Sequence, residues 1–398
     1  MLAPMLIVLL ASPSPAVQGG DWTQFRGPGG LSVAGDAALP TDFGLESGVL
    51  WKTALPPGHS SPCVVGGRIF LTGFEDGRNV VLALERASGK ELWRKTFEGP
   101  AYQQYMHPDA VPALPTAVSD GEQVIAYFGN YGLVALSLDG APRWEKRLPQ
   151  PKHGFGVGTS PVLFEGLLIV SRDGAPEASI LVLDPSDGSE LQRINRMEFG
   201  ETHGTPFLWH NKERTELVAV GNGRLCAYDP GSGEKLWSMG GLTTFPCTTP
   251  TADADTLYFA GWSTPNASGR SFWEEAVGRS LELSDAEVAD PSLLFKRLDA
   301  NSDGKVVPAE VPECRAKDAF GFLDRDLSGA WELAEMLGAE SPSAGAGENL
   351  MVAIPRGAKG ELTKKDARWS WDRGLPYVSS PLLHRGRIWL VKAGGLVS

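Results

Sequence analysis

A unit that reads strand, turn, strand, turn, strand recurs along this 398-residue chain, and its recurrence limits the possible fold more than any single motif does. The clearest copy is "SSPCVVGGRIFLTG" from Ser60, followed by "NVVLALERASGKELW" ending at Trp93. Further copies are "LPTAVSDGEQVIAYFG" with "YGLVALSLDGAPRW", "TSPVLFEGLLIVS" with "ASILVLDPSDGSELQ", and "GTPFLW" with "TELVAVGNGRLCAYDPGSGEKLW". Alternating apolar residues such as Val64, Ile69 and Leu71 predict half-buried strands, and the GG, DG and SG pairs predict hairpin turns. Gly 48, Pro 30 and Trp 12 fit the same picture of many turns between aromatic strands.

The copies are closed by tryptophans. Trp51, Trp93 and Trp144 are 42 and 51 residues apart, and Trp237 follows after 93 with Leu191 standing near the middle of that interval. Pro161, Pro206 and Pro250, each after a small residue, step by 45 and 44. Both series then jump, by 132 to Trp369 and by 131 to Pro381. One copy therefore carries an insertion of about eighty residues, between Trp262 and about Asn349.

A period of forty-odd residues with four strands matches a β-propeller blade. The segments "ALERASGKELW", "ALSLDGAPRW" and "AYDPGSGEKLW" resemble the strand-turn-Trp signature of PQQ-like (quinoprotein alcohol dehydrogenase-like) repeats. "DWTQFRGPGG" and "LPYVSSPLLHRGRIWLVKAGGLVS" look like the opening segment and a late blade of exported bacterial members. The resemblance implies a mainly β fold, a propeller of four-stranded blades, carrying a small inserted α-helical domain. Propellers of this kind usually have seven or eight blades. About five and a half copies are present here, and the last stops after its second strand and turn, so the ring is expected to be incomplete in this chain.

The insertion explains an acidic stretch that the strand pattern does not. Asp299-x-Asn301-x-Asp303-Gly304, with Glu310 six residues later, fits the EF-hand calcium loop at every defining position. Asp299, Asn301 and Asp303 offer side-chain oxygens to a hard cation, Gly304 makes the sharp turn, the Lys305 carbonyl adds an oxygen, and Glu310 closes the shell with two more. A second loop, "DRDLSGAWELAE", offers Asp324, Asp326, Ser328, the Ala330 carbonyl and Glu335, with Glu332 in addition. Ser328 is a weaker ligand than Asp, so the second site is expected to be the weaker. An acidic turn rich in Asp and Asn is the ordinary alternative for one such loop. Two complete patterns twenty-five residues apart, confined to the insertion, favour two calcium ions. Flanking helix signals agree: "SDAE" is a capping box, Asp290-Pro291 an N-cap with proline in the first turn, and Leu294, Phe295 and Leu298 form one apolar face. Phe320 and Leu323 do the same before the second loop, and Pro308 stands where a helix is expected to leave the first. The pair resembles compact EF-hand pairs of exported bacterial proteins, and its place is expected in a loop between blades, where insertions are tolerated.

Net charge is −12, and −8 of it falls within residues 281–340. That balance argues against general affinity for nucleic acid or an anionic membrane surface. Residues 1–16, with an apolar run from Met5 to Ala11 and small residues Ser14 and Ala16, read as a secretory signal. No other stretch is long and apolar enough to span a bilayer. The expected domains are the signal at 1–16, propeller blades at 17–265, the EF-hand pair at 266–345 and a propeller continuation at 346–398. Location is expected to be periplasmic or extracellular.

Cys63, Cys226, Cys247 and Cys314 are scattered, with no CxxC and no adjacent pair. Active quinone-dependent members of the resembled family carry a disulfide between adjacent cysteines, a calcium held in the propeller and a catalytic Asp. Without adjacent cysteines the expectation is a monomeric, non-catalytic scaffold or binding module, with a protein or polysaccharide partner on a propeller face and no PQQ. The alternative is a PQQ- and calcium-dependent alcohol dehydrogenase. His59, His153 and His203 precede the small-residue-Pro markers and are expected on a polar rim near the central channel, and the closing tryptophans are expected to pack between blades.

Overall fold

The fold is described from a computed structural model that covers residues 20–35, 41–42, 44, 47–100, 111–151, 155–174, 177–197, 202–244, 246–263, 281–318, 320, 328–333, 347–392 and 395–397. The signal segment, residues 264–280 and the ends of the second acidic loop lie outside the described residues.

The strands assemble into six sheets in chain order. Blade 1 contains Cys63–Val65, Arg68–Glu75, Arg78–Glu85 and Glu91–Phe97. Blade 2 runs from Val118–Ser119 to Pro142–Arg147, blade 3 from Val162–Phe164 to Glu190–Asn195, and blade 4 from Phe207–His210 to Lys235–Gly240. Each is an antiparallel meander, and in blade 1 the turns fall at Gly66-Gly67, Asp76-Gly77 and Ser88-Gly89, where the sequence places GG, DG and SG. Blade 5 joins Thr251–Ala252, Thr256–Ala260, Met351–Pro355 and Trp369–Trp371, and the sixth sheet holds Leu382–His384, Arg387–Lys392 and Gly395–Val397.

Every apolar cluster of the propeller but one straddles two neighbouring blades. Central strands are buried on both faces; all six residues of Gln123–Phe128 are buried. Outer strands alternate with exposed positions, as in Glu91–Phe97. The core is thus a series of seams between sheets, and burial of apolar area there stabilises the ring.

The closing tryptophans lie on those seams. Trp51 Nε1 donates to the Arg86 carbonyl at 3.0 Å, Trp93 Nε1 to Leu138 at 3.0 Å, and Trp144 Nε1 to Pro185 at 2.8 Å. Each acceptor lies in the last turn of the following blade. The same turn carries a glycine of positive φ against the indole: a Cβ at Gly89 would meet Trp51 at 2.2 Å, and one at Gly140 or Gly188 would meet Trp93 or Trp144 at 2.8 Å. The glycine and the tryptophan of the repeat signature are therefore partners in adjacent blades. Blade 3 has Leu191 at this position, 56% exposed. Gln192 takes over the seam there, its amide donating to the Ser232 carbonyl beside Gly233.

Three features depart from the sequence expectations, the first being that the last copy does not stop after its second strand and turn but adds a third strand, Gly395–Val397. The insertion lies inside blade 5, not in a loop between blades: Ala260 on the second strand pairs with Met351 on the third. The ladder of that hairpin closes the interrupted chain, so an excursion of ninety residues leaves the register intact. After the third strand, Gly360–Leu362 adds a parallel strand to the edge of blade 4, pairing Trp237 with Gly360. Trp237 is consequently buried and donates to the Glu216 carboxylate at 2.6 Å, instead of reaching across a seam as Trp51, Trp93 and Trp144 do.

Candidate functional site

The insertion has its own apolar cluster, including Leu294, Phe295, Leu298, Phe320 and Trp331. Its first helix, α1 (Asp285–Ala289), begins with the expected capping box: Glu287 N–H donates to Ser284 Oγ at 3.3 Å, and Ser284 N–H donates to Glu287 Oε2 at 2.9 Å. Those bonds, the Ser284 backbone N–H first among them, hold the Glu287 carboxyl below its ordinary range. The second, α2 (Pro291–Leu298), is capped by Asp290, which accepts from Ser292 N–H at 3.0 Å. The helix expected to leave the first loop at Pro308 is a single 3-10 turn, Pro308–Glu310. Pro312 disfavours helical backbone at Val311, and helix resumes as α3 (Arg315–Asp318).

Between α2 and that turn lies the first acidic loop. Asp299 Oδ1 accepts from Asp303 N–H at 3.1 Å and its Oδ2 from Gly304 N–H at 3.0 Å. Asn301 Oδ1 accepts from Asp303 N–H at 2.8 Å, and Asp303 Oδ1 from Lys305 N–H at 2.9 Å. Glu310 folds back to accept from Ala300 N–H at 3.1 Å and Val307 N–H at 2.9 Å. Gly304 has φ +82°, the left-handed turn that glycine supplies at least cost. Asp299, Asn301, Asp303 and Glu310 thus each accept N–H groups of this one short loop, and among the described residues no three carboxylate, His or Cys side chains come close enough together to hold a metal ion.

Of the second loop, Asp324, Asp326 and Glu335 lie outside the described residues. Ser328 Oγ donates to the Ala330 carbonyl at 2.9 Å, and Lys305 Nζ lies 3.8 Å from Glu332. The two loops join by one antiparallel bridge, Val306 N–H to Trp331 O at 3.0 Å and Trp331 N–H to Val306 O at 2.8 Å. Trp331 is fully buried and stacks on Phe320 with ring centroids 4.4 Å apart.

A second site, which the sequence marked only by its Ser/Thr-Pro steps, lies where the blades meet. Ser61 N–H donates to Thr116 Oγ1 at 2.9 Å, Thr116 N–H to Ser160 Oγ at 3.0 Å, Ser160 N–H to Thr205 Oγ1 at 3.0 Å, and Thr249 N–H to Ser380 Oγ at 2.9 Å. Each bond joins one blade to the next. The residue just before adds a bond within its own blade, from Ser60, Thr159 and Thr248 to the carbonyl twelve positions on. Thr116, Ser160, Thr205, Thr249 and Ser380 line a cavity of about 440 Å3 whose other walls include Phe25, Phe155 and Tyr377. His59 and His203 line it as expected; His153 lies outside the described residues. Burial, with Cys247 nearby, raises the Tyr377 phenol above its ordinary pKa. The described residues lining this cavity carry no carboxylate and no Lys or Arg, a donor set that does not fit an acidic quinone held with calcium. All four cysteines are free thiols.

The opening segment crosses this region. Trp22 pairs with Val64 of blade 1, the Thr23 carbonyl accepts from Ser119 of blade 2 at 2.8 Å, Gly30 packs on Phe207 of blade 4, and Arg26 donates to Pro381, just before blade 6, at 2.7 Å. A segment that touches blades so far apart in the ring runs close to its axis.

Six sheets, joined near the axis by hydroxyl bonds along blades 1 to 4 and between blades 5 and 6, and sealed at two seams by Trp on Gly, define a PQQ-like β-propeller protein. The chain belongs to the PQQ_2 family, whose model, described as outer membrane protein assembly factor BamB, matches residues 42–275. Among solved structures it is similar to BamB from Moraxella catarrhalis, at 19% identity and TM-score 0.38 over 49% of this chain and 55% of that one. It is also similar to a europium-containing methanol dehydrogenase, at 13% identity and TM-score 0.37 over 51% and 44%, and to the quinohemoprotein alcohol dehydrogenase from Comamonas testosteroni, at 14% and 0.37 over 52% and 40%. The chain spans about half, or less, of the length of these proteins. No curated protein matches it. Among the described residues, no helix is long and apolar enough to cross a membrane.

Proposed function

We propose that this chain is an exported, calcium-binding β-propeller that works as a non-catalytic scaffold or protein-binding module, with its EF-hand insertion ordered by calcium. The observation that carries the scaffold reading is the series of hydroxyl bonds between blades. Hydroxyls that line the axial cavity, where a propeller could present catalytic groups, accept hydrogen bonds from the preceding blade's backbone N–H and so take part in joining blades. The match to a family described by an assembly factor supports the same reading.

In the insertion, Asp299, Asn301, Asp303, the Lys305 carbonyl and Glu310 would hold one calcium, and Asp324, Asp326, Ser328, the Ala330 carbonyl and Glu335 a second, weaker one. Calcium would supply the positive charge that lets these carboxylates share one loop. Calorimetric titration with calcium and with PQQ tests both halves. Calcium is expected to bind at two sites, Glu310→Gln to weaken the tighter by more than about tenfold, and PQQ to give no heat. Unchanged calcium affinity in Glu310→Gln would remove the loop assignment. Dye-linked alcohol oxidation after addition of PQQ and calcium would replace the scaffold with the dehydrogenase.

A further inference from the structure

A second, smaller cavity of about 170 Å3 shares Phe25, Thr205 and Thr249 with the axial one. Arg26 stands in its wall, 8% exposed. Its guanidinium donates from Nε to the Gly30 carbonyl at 2.8 Å and from a terminal nitrogen to the Pro381 carbonyl at 2.7 Å. Both acceptors are neutral, and among the described residues no carboxylate pairs with it. Burial lowers its pKa to about 10, the mark of a cation taken out of water without a counter-charge. Buried charges are ordinarily paired, because desolvation otherwise costs several kcal/mol.

The rest of the wall completes a ligand's outline. Thr205 is 4% exposed and its oxygen accepts from Ser160 N–H, which leaves its O–H free to donate. Phe25, Phe164 and Phe207 supply apolar and aromatic surface. The volume admits a small molecule only, and the net charge of −12 opposes entry of a polyanion.

We propose that this cavity binds a small monocarboxylate, its oxygens toward Arg26 and the Thr205 hydroxyl and its short aliphatic or aromatic body against Phe164 and Phe207. The site does not depend on the calcium assignment, so either can fail alone.

The test is calorimetry on the whole chain with butyrate and benzoate, set against butyramide and benzamide, at constant ionic strength with sulfate as an anion control. The acids are expected to bind at least about tenfold more tightly than their amides, since only they present a charge to Arg26. In Arg26→Gln that preference should disappear. Equal binding of acid and amide by the unmodified protein, no binding of either, sulfate matching the acids, or a preference that survives Arg26→Gln would each overturn the site. The comparison on the unmodified protein decides the matter even if the variant does not fold.

Discussion

Blade 3 and the Asp299 loop of the insertion represent two ways of holding a chain in place. In blade 3, Ile169, Ile180 and Leu181 are completely buried between neighbouring sheets, and strands far apart in sequence are held by apolar area and ladder hydrogen bonds. In the loop, Asn301, Asp303 and Lys305 are exposed, and the shape comes from carboxylate and amide oxygens that accept the loop's own N–H groups. The first arrangement is indifferent to a cation. The second brings like charges together, and under the proposed calcium reading a bound cation would offset them. A repeat can be interrupted by such a guest because Ala260 and Met351 pair as though adjacent, while Asn349 bonds Ser263 through both its amide atoms at 3.0 Å.

The contrast fails if the propeller rests on one polar contact as heavily as on its seams. The strongest candidate is the pair between Arg196 and Asp173, both completely buried, with two contacts of 2.8 Å and further bonds to the Val220 carbonyl, Tyr228 and Thr202. Burial alone would lower the Arg196 pKa; the bidentate carboxylate more than reverses it. Asp173→Ala leaves a buried cation across the seam of blades 3 and 4, and is expected to lower unfolding stability by about 3–5 kcal/mol in denaturant titration, with calcium binding unchanged. A smaller effect on the seams is expected from Gly188→Ala. The new Cβ would lie 2.8 Å from Trp144 at φ +73°, costing about 1–3 kcal/mol and altering Trp fluorescence in the same titration.

The smallest effect belongs to the insertion. Ser284→Ala removes half of a capping box and should cost the helix pair about 1 kcal/mol, seen as loss of helical circular dichroism on heating while the strand signal persists. The Glu287 carboxyl titrates low when folded, so its support is present above the ordinary Glu pKa and is lost as pH falls through the lower, folded value. Acid titration should therefore loosen the insertion before the blades, and the Ser284→Ala protein at higher pH than its parent.

Much of this could be read from the chain. The Trp and Pro steps located the blades and the oversized copy, because each blade must return its chain to the same radius and so repeats its turn and closing residue. Capping residues at Ser284 and Asp290 marked helix starts, since they act within one turn. Leu191 also stood out as a missing tryptophan, although its replacement by Gln192 did not, because the substitute faces a glycine in another blade.

The sequence by itself determined what depends on short-range chemistry: strand and turn positions, the spacing of acidic and amide side chains around Gly304 and the number of copies. The tertiary structure decided which residues serve across distance. Ser61, Thr116, Ser160 and Thr205 are 44 to 55 residues apart and read as ordinary turn residues until blades stand side by side. The same holds for Arg26, whose partner Pro381 is 355 positions away. Radial packing brings the start of the copies toward one axis, and only that convergence turns separate hydroxyls into a chain of bonds between blades and an isolated arginine into the wall of a cavity.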